Sequence, residues 1–186
     1  IIMVAAPQLG TPQAIMEILH GADFIGPPNP ELTRELAENM KSAYTLLPSR
    51  EYFNHLGTPI RPLIEFSTTT EATQSFRNIY GNSISDYDTL RRFLRGENGL
   101  RAEPLPNVVN EPNVLKENFL ANAEARHIFQ DTWNPPEGID VIEVIGWGLD
   151  TPRALKYEGR ASGKRGFGKD IIDPRPVPTS EGDGTV

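Results

Sequence analysis

The chain has 186 residues, with 25 acidic and 18 basic side chains and a formal net charge of −7 at pH 7. This acidic balance argues against a nucleic-acid partner, which needs a basic face, and disfavours strong electrostatic docking to anionic lipid. The chain has no cysteine, which excludes disulfides, thiolate catalysis and cysteine metal sites but leaves the compartment open. No apolar run reaches the roughly 18 residues that a membrane span needs.

The first segment of the chain predicts a strand followed by a short helix. Residues 1–7 form a continuous apolar run, as is typical of a parallel strand that is buried on both faces. Thr11 is a suitable N-cap and Pro12 a suitable first helical residue. The apolar stripe of this helix consists of Ala14, Ile15, Ile18 and Leu19.

Four further helices are predicted in the middle of the chain. They cover 31–46, 71–80, 86–95 and 113–131. Ser85 is the predicted N-cap of the third. The first carries an apolar residue at every fourth position, namely Leu32, Leu36, Met40 and Tyr44.

A second apolar run, 139–145, predicts another core strand that ends at Gly146. The stretch that separates it from the first strand is too long for a simple crossover and indicates a cap subdomain inserted into an α/β sheet. Residues 156–178 are rich in Gly, Pro, Lys and Arg, and they predict a long exposed loop or a hairpin.

Asp183 is the candidate catalytic residue. It lies between Gly182 and Gly184, which permit a tight turn, and it follows the second core strand along the chain. A triad acid must sit on such a turn, because it orients the histidine and stabilises the imidazolium. A solvated acidic loop and a fragment of a calcium loop are the alternatives, although one carboxylate supplies far fewer oxygens than calcium needs.

The other members of a Ser-Asp-His triad do not occur in this chain. No G-x-S-x-G elbow is present. His20, His55 and His127 all precede Asp183, whereas enzymes with such a serine elbow have the chain order serine, acid, histidine. His20 ends a helix, where a positive charge would be favourable. We expect His127 to pack on its helix and His55 to be solvated in a loop. No metal-ligand spacing occurs, so neither a metal nor another cofactor is expected.

Five short motifs occur in order along the chain. They are Pro7–Pro12, Leu46–Ser49, Ala123–His127 with Trp133 and Pro135-Pro136, Gly146–Pro152 with Tyr157, and Gly182–Val186. The set resembles the lecithin:cholesterol acyltransferase-like family of lipases and acyltransferases. The resemblance spans nearly the whole chain, although residues 159–178 match no pattern of the family.

The resemblance implies part of an α/β-hydrolase sheet with an inserted, mainly helical cap or lid. Its division would be a core strand and helix over 1–26, the cap over 27–135, and a core strand with the acid turn over 136–186. Asp183 alone acquires a catalytic role, and the implied partners are the remainder of the hydrolase domain and a lipid or other ester. Contact with a membrane surface or lipoprotein is a further implication.

The implied reaction is acyl transfer through a serine acyl-enzyme to water or an alcohol. The serine, the oxyanion-hole amides and the histidine would lie outside this sequence, so the chain alone is predicted to be inactive. A non-catalytic binding module built on a degenerate hydrolase fold is the alternative. A complete and unrelated small α/β domain is a third possibility.

Overall fold

The structure is a computed structural model, and it describes residues 1–4, 7–21, 29–55, 61–146, 148–161 and 170–182. The helices are α1 (Pro12–His20), α2 (Pro30–Asn39), α3 (Lys41–Tyr44), α4 (Gln74–Tyr80), α5 (Tyr87–Leu94), α6 (Gly96–Gly99) and α7 (Glu117–Asp131). The strands are β1 (Ile2–Val4), β2 (Ile64–Phe66), β3 (Ser83–Ile84), β4 (Ile142–Val144), β5 (Leu149–Arg160) and β6 (Ile171–Gly182). Short 3₁₀ turns cover Glu51–His55 and Glu71–Thr73.

The strands form two sheets. The smaller sheet pairs β1 with β4 in parallel, with Ile2 opposite Ile142. The larger sheet has the order β3-β2-β5-β6, in which β2 runs parallel to β5 and both outer pairs are antiparallel. The protein is therefore a mixed α/β protein, as the sequence predicts.

The hydrophobic core lies between the larger sheet and the helices α1, α4, α5 and α7. Its centre is a group of aromatic rings, in which Phe66 of β2 stacks on Phe76 and on Tyr157 with centroid distances of 5.5 Å. Phe93 of α5 closes the group, with its ring 5.2 Å from that of Tyr80. Ring pairs at these distances add stability beyond the apolar area that they bury.

The first helix forms as its sequence predicts. Thr11 is extended and its hydroxyl accepts a hydrogen bond from the N–H of Gln13, while Pro12 begins the helix. Gly21 ends it in the left-handed conformation with φ of +62°. A Cβ atom at Gly21 would lie 1.8 Å from the carbonyl oxygen of Pro30, so glycine also permits the close approach of α2.

The predicted helix over 31–46 is interrupted, which is a difference from the expectation. Met40 is extended, with φ of −97° and ψ of 108°, and it separates α2 from α3. The change of direction carries Tyr44 into the core, where its hydroxyl donates to the carbonyl of Glu38. Leu32, Leu36 and Met40 are exposed, so the predicted apolar stripe does not pack against the described residues.

Three smaller expectations differ from the structure. The N-cap of α5 is Asp86, whose carboxylate accepts from the N–H of Thr89 at 2.9 Å, and not the preceding Ser85. The helix predicted over 113–131 begins at Glu117. His55 ends a 3₁₀ turn instead of lying in a loop, and its side chain lies outside the described residues.

The two predicted core strands form, but they are not buried. Ile2 and Val4 of β1 are 68% and 65% exposed, and every residue of β4 is exposed. The physical reason is that the described part of the chain places only β1 and β4 in this sheet. Of the region predicted as a loop or hairpin over 156–178, residues 156–160 belong to β5 and residues 171–178 belong to β6, and these two strands pair antiparallel.

Candidate functional site

Asp183 lies outside the described residues, so the candidate site is built from the segments that lead to it. The hairpin of β5 and β6 returns the chain to Gly182, which pairs with Leu149. Leu149 comes shortly after the last residue of β4, Val144. The residue that immediately precedes the predicted acid therefore pairs with the first residue of β5, which is five residues along the chain from Val144 at the end of β4.

The carboxyl ends of β1 and β4 lie at the same edge of the smaller sheet, because the two strands are parallel and in register from Ile2 to Val4. In open α/β sheets this edge is where ligands bind. Gln8, just after β1, donates from its side-chain amide to the carboxylate of Glu143 in β4 at 3.0 Å. This hydrogen bond holds Gln8, in the segment that follows β1, beside β4.

The Pro7–Pro12 turn contacts the Leu46–Ser49 segment through backbone hydrogen bonds. The N–H of Thr11 donates to the carbonyl of Leu46, and the N–H of Ser49 donates to that of Leu9, both at 2.8 Å. Gly10 has φ of +89°, and a Cβ atom there would lie 2.2 Å from the carbonyl oxygen of Leu47. The contact therefore requires glycine at position 10.

His127 and Asp131 bring α7 to the same segment. The buried ring of His127 donates from Nε2 to the carbonyl of Thr45 at 3.0 Å, which confirms its predicted packing role. Ser49 donates to the carboxylate of Asp131 at 3.0 Å and is completely buried. This serine, aspartate and histidine are not a catalytic triad, because the histidine is bonded to a backbone carbonyl and not to the serine.

His20 is a buried neutral histidine. Its Nδ1 lies 2.7 Å from the carbonyl of Val109, which can only accept, so Nδ1 carries the proton and Nε2 accepts from the hydroxyl of Tyr157 at 2.7 Å. Burial lowers the pKa of His20 to about 4, and the positive charges of Arg34 and Arg101 act in the same direction. The expected positive charge at the end of α1 is therefore wrong at neutral pH, because desolvation outweighs the favourable helix terminus.

Two arginines that the sequence did not single out order the segment between α6 and α7. Arg34 is buried and donates from Nη1 to the carbonyl of Val108 at 2.9 Å. Arg101 donates to the carbonyl of Asn113 at 3.1 Å, and its guanidinium lies 4.7 Å from the ring centroid of Phe93. No periodicity marks such residues, because their acceptors are backbone groups of an irregular segment.

An open groove lies between α5 and α7, and its charged side chains are largely paired with one another. The guanidinium of Arg50 forms an ion pair with the carboxylate of Asp88 at 2.6 Å, and Arg91 forms an ion pair with Glu124. Within the part of the chain that the structure describes, no group of three His, Asp or Glu side chains could hold a metal ion. Nor is any described helix long and apolar enough to cross a membrane.

Comparison of the chain with known protein families and with curated protein sequences finds no match.

Proposed function

We propose that this chain is part of a serine acyl hydrolase or acyltransferase that resembles the lecithin:cholesterol acyltransferase-like family. Its substrate would be a lipid or another carboxylic ester. Asp183 would accept a hydrogen bond from the catalytic histidine, which in turn would activate the serine, and backbone amides would stabilise the oxyanion. The serine and the histidine would come from the remainder of the hydrolase domain.

The observation that carries this proposal is the pairing of Gly182 with Leu149. A triad acid belongs on a turn at the carboxyl edge of a parallel sheet, where the nucleophile and the histidine can also reach the substrate. Leu149 follows β4 shortly after Val144, and β4 runs parallel to β1. This arrangement supports a location for Asp183 at the carboxyl edge of the sheet.

The contacts between motifs give further support. The Pro7–Pro12 turn is hydrogen-bonded to the Leu46–Ser49 segment, and His127 of the third motif donates to Thr45 beside that segment. Tyr157, which follows the fourth motif, donates to His20 in the helix that follows the first. Motifs that are distant along the chain thus meet in space, which supports their being parts of one scaffold.

The smaller sheet has an apolar face that the described residues leave exposed. Its members are Ile2, Val4, Ile142 and Val144, which lie on the same face because alternate residues of paired strands point to one side. An apolar sheet face is typical of a sheet that packs against another layer of the protein. We propose that further strands and helices of the hydrolase domain cover this face.

The cap would lie over the substrate and contact the membrane surface or lipoprotein that carries it. The described part of the segment 27–135 contains α2 to α7 and the short strands β2 and β3. The exposed Leu32 and Leu36 of α2, together with Met40 just after it, would suit contact with a lipid surface, since apolar burial drives such binding. The division of the chain into core, cap and core stays a prediction.

The deciding experiment uses the full-length protein and measures hydrolysis of short-chain and long-chain carboxylic esters. Asp183→Asn is expected to lower kcat by about 10⁴-fold, because the histidine loses its orienting partner. Glu181→Gln, a neighbouring change of the same kind, is the matched control and should leave kcat within a few-fold of the wild type. Equal activity of the two variants would remove Asp183 from the mechanism.

Two further observations separate the enzyme from a binding module. The coding sequence should contain a G-x-S-x-G elbow shortly before Ile1 and a histidine some tens of residues after Val186. The chain of residues 1–186 by itself should hydrolyse no ester. Flanking sequence without these residues would favour the non-catalytic module, and ester turnover by the isolated chain that Asp183→Asn abolishes would contradict the proposed division of the triad.

A further inference from the structure

The strand β6 carries a proline at every second position over its middle part, at Pro174, Pro176 and Pro178. Among the strands that the structure describes, it forms one edge of the larger sheet, next to β5. Proline has no backbone N–H, so a proline in a strand removes one hydrogen-bond donor from one of the strand's two sides. Three prolines at alternate positions remove donors from a single side, and the pairing with β5 determines which side that is.

The hydrogen bonds between β2 and β5 fix the direction of each backbone group in β5. The N–H of Leu155 donates to the carbonyl of Leu63, and the carbonyl of Tyr157 accepts from the N–H of Ser67, both at 2.9 Å. Leu155 and Tyr157 therefore direct their backbone groups towards β2. Because alternate residues of a strand point to opposite sides, Ala154, Lys156 and Glu158 direct theirs towards β6.

The register between β5 and β6 then orients the prolines. Asp173, Arg175 and Val177 lie opposite Glu158, Lys156 and Ala154, so these three residues bond to β5. The prolines lie between them and face away. An independent contact agrees, because Ile172 belongs to the same alternate series and its carbonyl accepts from the side chain of Asn110 at 3.0 Å, outside the pairing with β5.

From Pro174 to Pro178 the outer side of β6 therefore presents carbonyl acceptors and no N–H donor. Pro176 and Pro178 are exposed and Pro174 is half-buried, so this side is accessible. A strand that is added to a sheet must both donate to the edge and accept from it. A strand placed against this edge would leave its own carbonyls without donors, and the proline rings would occupy the space of the missing N–H groups.

We propose that Pro174, Pro176 and Pro178 close the outer edge of β6 to strand addition and so keep the larger sheet from pairing with a second copy of this chain. Exposed edges are the places where sheets of different molecules join, and proline is one of the residues that block them. The inference concerns the larger sheet alone and does not depend on the proposed enzymatic function.

The test restores the three donors. The variant Pro174→Thr/Pro176→Thr/Pro178→Thr introduces strand-forming residues with N–H groups on the outer side. The matched control Asp173→Thr/Arg175→Thr/Val177→Thr introduces three threonines at positions whose N–H groups already bond to β5. Sedimentation velocity over a concentration series measures association, and amide hydrogen exchange measures pairing at positions 174, 176 and 178.

The proline variant is expected to associate at least about tenfold more tightly than the wild type, with exchange at the three new amides slowing as protein concentration rises. The control should associate as the wild type does. Equal association of all three proteins, or unprotected amides at 174, 176 and 178 in an associated variant, would overturn the proposal. Pro176→Thr alone gives a milder version, in which protection of the single new amide supports the proposal and its free exchange at high concentration contradicts it.

Discussion

In the four-stranded sheet, Ile64 of β2 and Leu155 of β5 are almost completely buried, whereas in the two-stranded sheet Ile142 of β4 is 55% exposed. The residues are of the same chemical type and both pairs of strands are parallel. The difference lies in what covers them, because helices pack on the larger sheet and the described residues leave the smaller one open. The apolar sequence of a strand therefore does not by itself show whether the strand is buried in the described part of the chain.

The edges of the two sheets differ in the same sense. The outer side of β6 lacks donors over its three prolines, whereas β1 and β4 contain no proline. Exposed strand edges can pair with further strands, and prolines prevent such pairing. Among the described strands, the larger sheet therefore has an edge that prolines block, whereas the smaller sheet has none.

The sharpest test of this comparison substitutes the same residue in the two sheets. Ile64→Ala should lower the free energy of unfolding by about 2–5 kcal/mol, because it leaves a cavity in the core. Ile142→Ala should change it by about 0.5 kcal/mol or less, because that side chain is already exposed. Urea unfolding of both variants measures the difference, and equal losses would mean that the smaller sheet is buried in solution.

A second test uses acid, which acts on the larger sheet through His20 and its bond to Tyr157. The unfolded chain binds a proton at His20 below its ordinary pKa of 6.5, whereas the folded chain does so only near pH 4. The contribution of neutral His20 to the free energy of unfolding is therefore fully present above pH 6.5. It is lost as the pH is lowered from 6.5 to 4, by about 3 kcal/mol in all. Urea unfolding over this range should show the decline.

His20→Gln is the control for the acid test, because glutamine does not titrate. The variant should be less stable than the wild type at pH 7, since the two hydrogen bonds of His20 are disturbed, but this part of its pH dependence should disappear. Asp and Glu side chains contribute below about pH 5 in both proteins, so the informative quantity is the difference between them. An unchanged difference from pH 7 to pH 4 would contradict a buried neutral His20.

A third test concerns the junction between the two regions, where the turn after β1 contacts Leu47. Gly10→Ala should cost at least about 2 kcal/mol, because it combines a positive φ with a Cβ atom that overlaps a backbone carbonyl. Gly138→Ala, at φ of +81° with open space around it, should cost about 1 kcal/mol for the backbone conformation alone. Thermal unfolding compares the two variants, and equal costs would show that the turn does not need close contact.

The smallest expected effect concerns the N-cap of α5, a helix that packs on the larger sheet. Asp86→Ala should destabilise the protein by about 1 kcal/mol, because the N–H of Thr89 loses its acceptor. Ser85→Ala, the neighbouring change, should have little effect. The order of the two effects, measured by urea unfolding, decides which residue caps the helix.

The sequence was sufficient to predict those features of the structure that depend on residues close together along the chain. Thr11 and Pro12 begin α1 as predicted, because an N-cap depends on backbone groups within the first turn of the helix. The two apolar strands also occur close to their predicted positions. The mixed α/β class follows from these elements. The catalytic role of Asp183 stays a prediction, since that residue lies outside the described part of the chain.

Only the tertiary structure decided which surfaces pack. The periodicity of Leu32, Leu36 and Met40 indicated a buried face, but α2 directs Arg34 inwards to the backbone carbonyls of an irregular segment. The sequence by itself determined the start of α1 and which segments favour helix or strand, because these preferences act over a few residues. Contacts with segments far along the chain determine that Arg34 is buried, that His20 is neutral and that β1 is exposed. Such contacts decide how far a side chain is desolvated and which hydrogen bonds it makes.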